Sequence, residues 1–228
     1  MTDNGFIFDT EFSTDDFSFD DISFDMETKY LKAKKTPEIK ESCLYFENAI
    51  ECAKNIDLNK GARNYILISG NFIFGDLIEA LAVKYNLLIK KMTLSTLSYS
   101  ENNIDSLVNL FDGNYLLSLD MIISDYFYSH ERHNLIKYAY KKLDKNNRFQ
   151  LSVASCHTKV CLIETEKSKI VIHGSANLRS SNCMEQIVVE ENEALFDFNK
   201  EFHDKITEKY KTINKAVRNK ELNKTIKN

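Results

Sequence analysis

HTKVCLIE (157–164), KIVIHGSAN (169–177) and EQIVV (185–189) are the segments whose reading decides the fold of this chain. Val160 to Ile163 and Ile170 to Ile172 are apolar and rich in β-branched residues, which predicts two paired, buried strands. Strand side chains alternate with period two, so His157 and Lys159 project to one side as the chain enters this hairpin. Ser175 and Asn177, again two apart, do the same as it leaves. One edge of a two-stranded ribbon thus gathers an imidazole, an ammonium, a hydroxyl and a carboxamide. That set suits a phosphoryl group, with a nitrogen nucleophile for phosphorus and donors for its non-bridging oxygens.

At these residues the chain resembles the phospholipase D superfamily, whose signature is H-x-K followed, after a hairpin, by G-S-x-N. Here it stands as His157-Thr158-Lys159 and Gly174-Ser175-Ala176-Asn177, with Glu185 in the following segment. The family pattern has an aspartate five residues after the lysine, where this chain has Glu164; the polar turn at 165–169 lengthens the hairpin by three residues. The resemblance is closest over residues 149–192, and only one signature is present. It implies a metal-independent phosphodiesterase fold in which His157 attacks phosphorus. Lys159, Asn177 and Ser175 would stabilise charge on the phosphoryl oxygens, and Glu185 would orient the imidazole. The chemistry uses two histidines and the chain has one signature, so a homodimer sharing one composite site is expected. No cofactor and no metal is called for.

Working outward, the pattern before this hairpin alternates strand and helix. Strands are predicted at Tyr65 to Ile68, Leu87 to Thr96, Leu116 to Ser124 and Phe149 to Ala154. Helices are predicted from Gly75 to about Tyr85, from Glu101 to about Phe111 behind a Ser100 cap, and from Ser129 to Leu143. Alternation of this kind gives an α/β class: a mixed, mainly parallel sheet flanked by helices on both faces, with an antiparallel portion. Ile39, Cys43, Phe46, Ile50 and Ala53 recur at helical spacing behind Thr36-Pro37, and residues 194–219 read as a long amphipathic helix. The expected domains are an acidic-aromatic disordered tail (1–36), the phospholipase D-like α/β domain (37–204) and a basic C-terminal helix and tail (205–228).

Charge is distributed unevenly. The net charge is −4, yet residues 1–28 hold nine acids and no base, which leaves +5 on the remainder. A basic body suits a polyanionic partner such as DNA or RNA; a solvated basic surface with an acidic leader is the plainer reading. No apolar run is long enough for a membrane span, and the N-terminus lacks a signal-peptide pattern, so a soluble cytoplasmic protein is expected, in the host cytoplasm if phage-encoded. The five cysteines show no C-x-x-C spacing and read as reduced thiols.

Other residues have two readings each. His130 and His133 share a helix face at i, i+3, which invites a metal, but polar helix-end surface explains them as well. Arg179 either reaches a phosphate or is solvated, and His173 reads as packing or surface. The aromatic-acidic repeats at Phe6–Asp9, Phe17–Asp20 and Ile22–Asp25 read as a docking peptide for a protein partner, as a self-inhibitory mimic of nucleic acid that occupies the basic site, or as a solubilising leader. Two functions follow: a nuclease working through a phosphohistidine, or a non-catalytic nucleic-acid-binding or adaptor protein that keeps the fold.

Overall fold

The computed structural model describes residues 40–46, 48–69, 72–179 and 183–212. Among them, eight strands form one sheet: β1 (Lys40–Phe46), β2 (Ala62–Ile68), β3 (Lys91–Thr96), β4 (Leu119–Ser124), β5 (Phe149–Ala154), β6 (Val160–Glu164), β7 (Lys169–Gly174) and β8 (Glu185–Glu191). Their spatial order is β1-β2-β8-β7-β6-β3-β4-β5. β1/β2, β3/β4 and β4/β5 are parallel; the four pairings through β8, β7 and β6 are antiparallel. The antiparallel strands sit between two parallel portions. Consequently the C-terminal ends of β2, β3, β4, β5 and β7 and the N-terminal ends of β6 and β8 all reach one edge of the sheet.

Side-chain parity sorts the two faces. Met92, Leu94, Met121, Ile123, Leu151, Cys161, Ile163, Ile172 and Val189 turn to one side. There they meet α1 (Ala49–Asn55), α2 (Phe74–Lys84), α3 (Glu101–Asp112), α4 (Asp125–Glu131) and α5 (Leu135–Leu143), whose Leu77, Leu81, Ile104, Leu107, Phe127 and Ile136 complete the core. The alternate residues Ile122 and Ala154 meet Ile206 of α6 (Glu193–Tyr210), and Leu162 and Val171 meet Phe196. Helices therefore cover both faces, as the βα alternation predicts. Burial of Cys161 in this core pushes its thiol strongly up, and Cys52 is pushed up to about 12, so neither is a reactive thiolate.

The α6 face also carries charge. Lys91 bonds Asp120 at 2.7 Å. Glu190, almost fully buried, receives Arg63 Nε at 3.0 Å, Asn192 Nδ2 at 3.0 Å and the His173 imidazole at 3.2 Å. Burial alone would favour the neutral carboxyl. The hydrogen bonds from His173, Asn192 and Arg63, with the guanidinium charge, outweigh it and hold the group at about 2. His173, read from the sequence as packing or surface, is thus a partner of a buried carboxylate.

Three expected elements differ. Where one helix is expected up to about Asn55, Lys40–Phe46 form a strand and Ala49–Asn55 a short helix. Lys40 to Phe46 pair in register with Ala62 to Ile68, and Asn48 Oδ1 accepts the Ile50 and Glu51 N–H groups to start α1 afresh. The helix expected over 129–143 is two helices. α4 opens earlier, at Asp125, where Ser124 Oγ caps Phe127 N–H at 3.0 Å, and Arg132 to Asn134 break the run before α5. α6 ends at Tyr210, short of the expected 219, because Thr212 N–H bonds the Leu151 carbonyl at 3.0 Å and draws the chain onto β5. The boundary expected at 204/205 consequently falls inside α6. The tail reading for 1–36, the Pro37 helix start and residues 213–228 lie outside the described residues.

Candidate phosphoryl site

The β6–β7 hairpin forms as its sequence predicts, closed at 165–168 by the Thr165 N–H to Ser168 carbonyl bond of 3.0 Å. Its open end lies on the edge where the parallel strands finish. β6 begins only at Val160, so His157, Thr158 and Lys159 occupy the short loop from β5 rather than a strand. Two bonds fix that loop. Gly174 N–H reaches the Lys159 carbonyl at 3.3 Å, and Thr158 Oγ1 donates to Ser95 Oγ on β3 at 3.0 Å. His157 is exposed, and among the described residues no hydrogen bond reaches its imidazole. Lys159 Nζ folds back to the His157 carbonyl at 2.7 Å, which uses one of its three N–H donors.

Gly174 is required by geometry. Its φ is +156°, and a Cβ there would lie 2.1 Å from the Gln186 carbonyl oxygen. The close approach lets Ser175 N–H bond that same oxygen at 2.9 Å while Gln186 N–H bonds Ser175 Oγ at 3.0 Å. Ser175 Oγ donates its proton to Glu185 Oε2. In this arrangement Glu185 holds the serine and not the imidazole, and the serine proton is engaged.

Beyond Ser175 the chain crosses the end of β6 to reach β3. Leu178 N–H bonds Thr96 Oγ1 at 3.0 Å, the Thr96 proton goes to the Ser98 carbonyl at 2.8 Å, and Ser100 N–H bonds the Leu178 carbonyl at 3.0 Å. Ala176 and Leu178 are buried in the main core. Between them Asn177 is held by its oxygen: Leu97 N–H donates to Oδ1 at 3.1 Å, and Thr96 Oγ1 lies 3.4 Å from the same atom. A backbone donor at that position assigns the amide orientation. The Asn177 NH₂, with no partner among the described residues, is left as a donor at the edge.

The five predicted site residues are thus brought to one edge, in two linked groups: Ser175, Asn177 and Glu185 in a bonded frame, His157 and Lys159 on the neighbouring loop. Arg179 is exposed just beyond them. His130 Nδ1 is bonded to the Tyr126 carbonyl at 2.8 Å, and His133 is exposed in the α4–α5 turn. Among the described residues, no group of three or more His, Cys, Asp or Glu is placed to hold a metal ion. Nor is any helix there long and apolar enough to cross a membrane. Thr96 and Ser95, which anchor the edge, went unread in the sequence. They are a strand's last hydroxyls, and nothing local distinguishes them from ordinary β residues.

No known family profile and no curated protein matches this sequence. Several solved structures share part of the layout. Nuc from Salmonella typhimurium, a phospholipase D family member, has a TM-score of 0.42 and 14% identity over 63% of this chain and 93% of its own. Phosphatidylserine synthase from Haemophilus influenzae gives 0.44 and 8%, over 67% of this chain and 40% of its own. TrmBL2, an archaeal chromatin protein with a novel mode of DNA binding, gives 0.39 and 11%, over 64% and 52%. The chain thus spans about half or less of the latter two. At these scores the likeness is one of layout and says nothing of chemistry.

Proposed function

We propose that this protein is a metal-independent phosphodiesterase of phospholipase D-like type, most simply a nuclease, working through a phosphohistidine at His157. The observation that carries this reading is the Asn177 clamp. Holding the carboxamide oxygen from the backbone leaves the amide donors fixed at the same edge as an exposed imidazole and an ammonium, the kinds of group a phosphoryl transition state needs. Neutral His157 would form the nitrogen–phosphorus bond as the leaving oxygen departs and takes a proton. Water would then break the nitrogen–phosphorus bond, returning free imidazole. Lys159 and Asn177 would carry the developing charge. In the working site Glu185 turns from Ser175 to His157, which releases the serine proton for a phosphoryl oxygen.

The leaving oxygen needs an acid. Of the other four histidines, His203 is buried on the inner side of α6, His173 is committed to Glu190, His130 bonds the Tyr126 carbonyl through Nδ1, and His133 lies in the turn beyond the far end of α4. We therefore assign the acid to His157 of a second copy in a twofold dimer, consistent with the single signature. Nucleic acid is the favoured substrate, on the positive balance of residues 29–228.

A second reading has a specific observation behind it. With Glu185 on Ser175 and the imidazole without a bond among the described residues, the same edge would also suit an anion-binding protein that does not cut. Cleavage of DNA and RNA in EDTA by wild type and His157→Ala separates them. Cutting that is lost in the variant supports the enzyme; binding without cutting in both supports the second reading.

A further inference from the structure

We infer that Tyr126, braced by His130, is a base-stacking platform beside the phosphoryl site, so that this edge takes a single-stranded nucleic acid. The inference rests on the reading above and adds the strand state of the substrate and the residue that senses it.

Tyr126 lies at the right place. β4 ends at the same edge as His157, and Ser124 Oγ donates to the Leu97 carbonyl at 2.9 Å; Leu97 is the residue whose N–H holds Asn177. Only β3 separates β4 from β6, two strand spacings or about 9.5 Å. That is within reach of the nucleotides adjoining a phosphate held at His157. At 68% exposure, Tyr126 is also the most exposed large apolar side chain among the described residues. Its neighbour in sequence, Phe127, is buried against Tyr99 with ring centroids 4.8 Å apart, so the helix spends one aromatic on the core and leaves the other out.

The exposed ring is held rather than loose. His130, one turn on, lies with its centroid 4.1 Å from that of Tyr126 at an interplanar angle of 35°. Its Nδ1 is tied to the Tyr126 carbonyl at 2.8 Å, and Ser129 Oγ donates to that carbonyl at 2.8 Å. Asp125 Oδ1 accepts the Tyr126 N–H at 2.7 Å, which ties that carboxylate to the helix start. A ring fixed on one side and open on the other offers a π-face at low entropic cost. An unpaired base has a matching face to offer; a base inside a duplex is already stacked on both sides, and a lipid diester has none.

The test uses full-length protein carrying His157→Ala, which keeps the oligonucleotide whole, so the outcome does not depend on the proposed chemistry. Fluorescence anisotropy measures binding of a labelled single-stranded DNA 10-mer and of the matching duplex. Tyr126→Ala is expected to weaken single-strand binding by about 5- to 100-fold, the range for losing one base–aromatic stack. Tyr126→Phe should stay within about twofold of the parent, and the duplex should respond to neither substitution beyond about twofold. Unchanged single-strand binding in Tyr126→Ala overturns the inference, as does equal loss for both forms. Conversion of a dimer to a monomer by Tyr126→Ala, read by sedimentation, also overturns it, because the ring would then belong to an interface between copies.

Discussion

The two halves of the candidate site differ in how they are held. Ser175 and Asn177 sit in a continuous mesh in which each polar contact is answered by another: Gly174 against Gln186, Ser175 against Glu185 and Gln186, Asn177 against Leu97. His157 and Lys159 occupy a loop pinned through backbone and through Thr158, with the imidazole exposed and the ammonium folded onto its neighbour's carbonyl. On the proposed chemistry the difference separates binding from reaction. Donors that recognise an anion gain from being fixed in advance, since their orienting entropy is then spent in folding. A nucleophile must instead be reachable, and on the proposed chemistry His157 would await both a carboxylate and a second copy.

Breaking the less constrained half should have the largest effect. His157→Ala should lower phosphodiester cleavage by roughly 10³-fold or more while substrate affinity changes little, measured as kcat and Kd separately. Asn177→Asp comes next. It keeps an oxygen for Leu97 N–H, so the fold should hold, but it puts a carboxylate where the NH₂ donor was. An activity loss of about 10²-fold with an unchanged unfolding midpoint is expected. Thr96→Val acts only through the frame: it leaves the buried Leu178 N–H without its acceptor. About 1–3 kcal/mol of stability should be lost, with activity reduced by about tenfold through Asn177. If Thr96→Val were to cost stability but no activity, the clamp would be structural only.

Acid titration sharpens the same contrast, because the fold has its own proton sensor away from the site. Burial on the inner side of α6 pushes His203 down to about 4, with the Asn199 backbone and the Asp204 carboxylate opposing only in part. Its Nδ1 has no well-aligned hydrogen-bond partner among the described residues. The unfolded histidine binds a proton near pH 6.5 and the folded one resists it, so the unfolded state takes up more protons between those values. Stability from neutral His203 is full above pH 6.5 and lost as pH falls towards 4, by up to about 1.4 kcal/mol per unit. His203→Leu should flatten that slope in denaturant unfolding without altering activity at neutral pH. Below pH 4.5 a second loss follows as Glu190 approaches its folded value of about 2.

Legibility in the sequence followed the range of the forces involved. The β6–β7 hairpin, β5 and helices α2 and α3 were readable because local periodicity and turn residues specify them. β1 was not: Ile39, Cys43 and Phe46 do repeat at helical spacing, and only register against β2, some twenty residues on, selects the strand. The α4–α5 break was missed because tyrosines and lysines continue the pattern through Arg132 to Asn134 while the Ser124 cap resets the helix start. The same split holds at the site. The place of these residues at the hairpin's open end was legible from the two strand runs, whereas the alternation argued from spacing two does not apply, since His157 and Lys159 precede β6 and Ser175 and Asn177 follow β7. How they are bonded was not legible, since the partners of Asn177 and Leu178 come from β3, some eighty residues earlier.

Trapping the covalent state of His157 bears on all of this at once. Wild-type protein is mixed with a generic phosphodiester, quenched in base and digested, and the peptide carrying His157 is weighed. The chemistry proposed here predicts an acid-labile, base-stable phosphoryl adduct on His157 that is absent from His157→Ala. Substrate turned over with His157 unmodified, or equally well by His157→Ala, would contradict it.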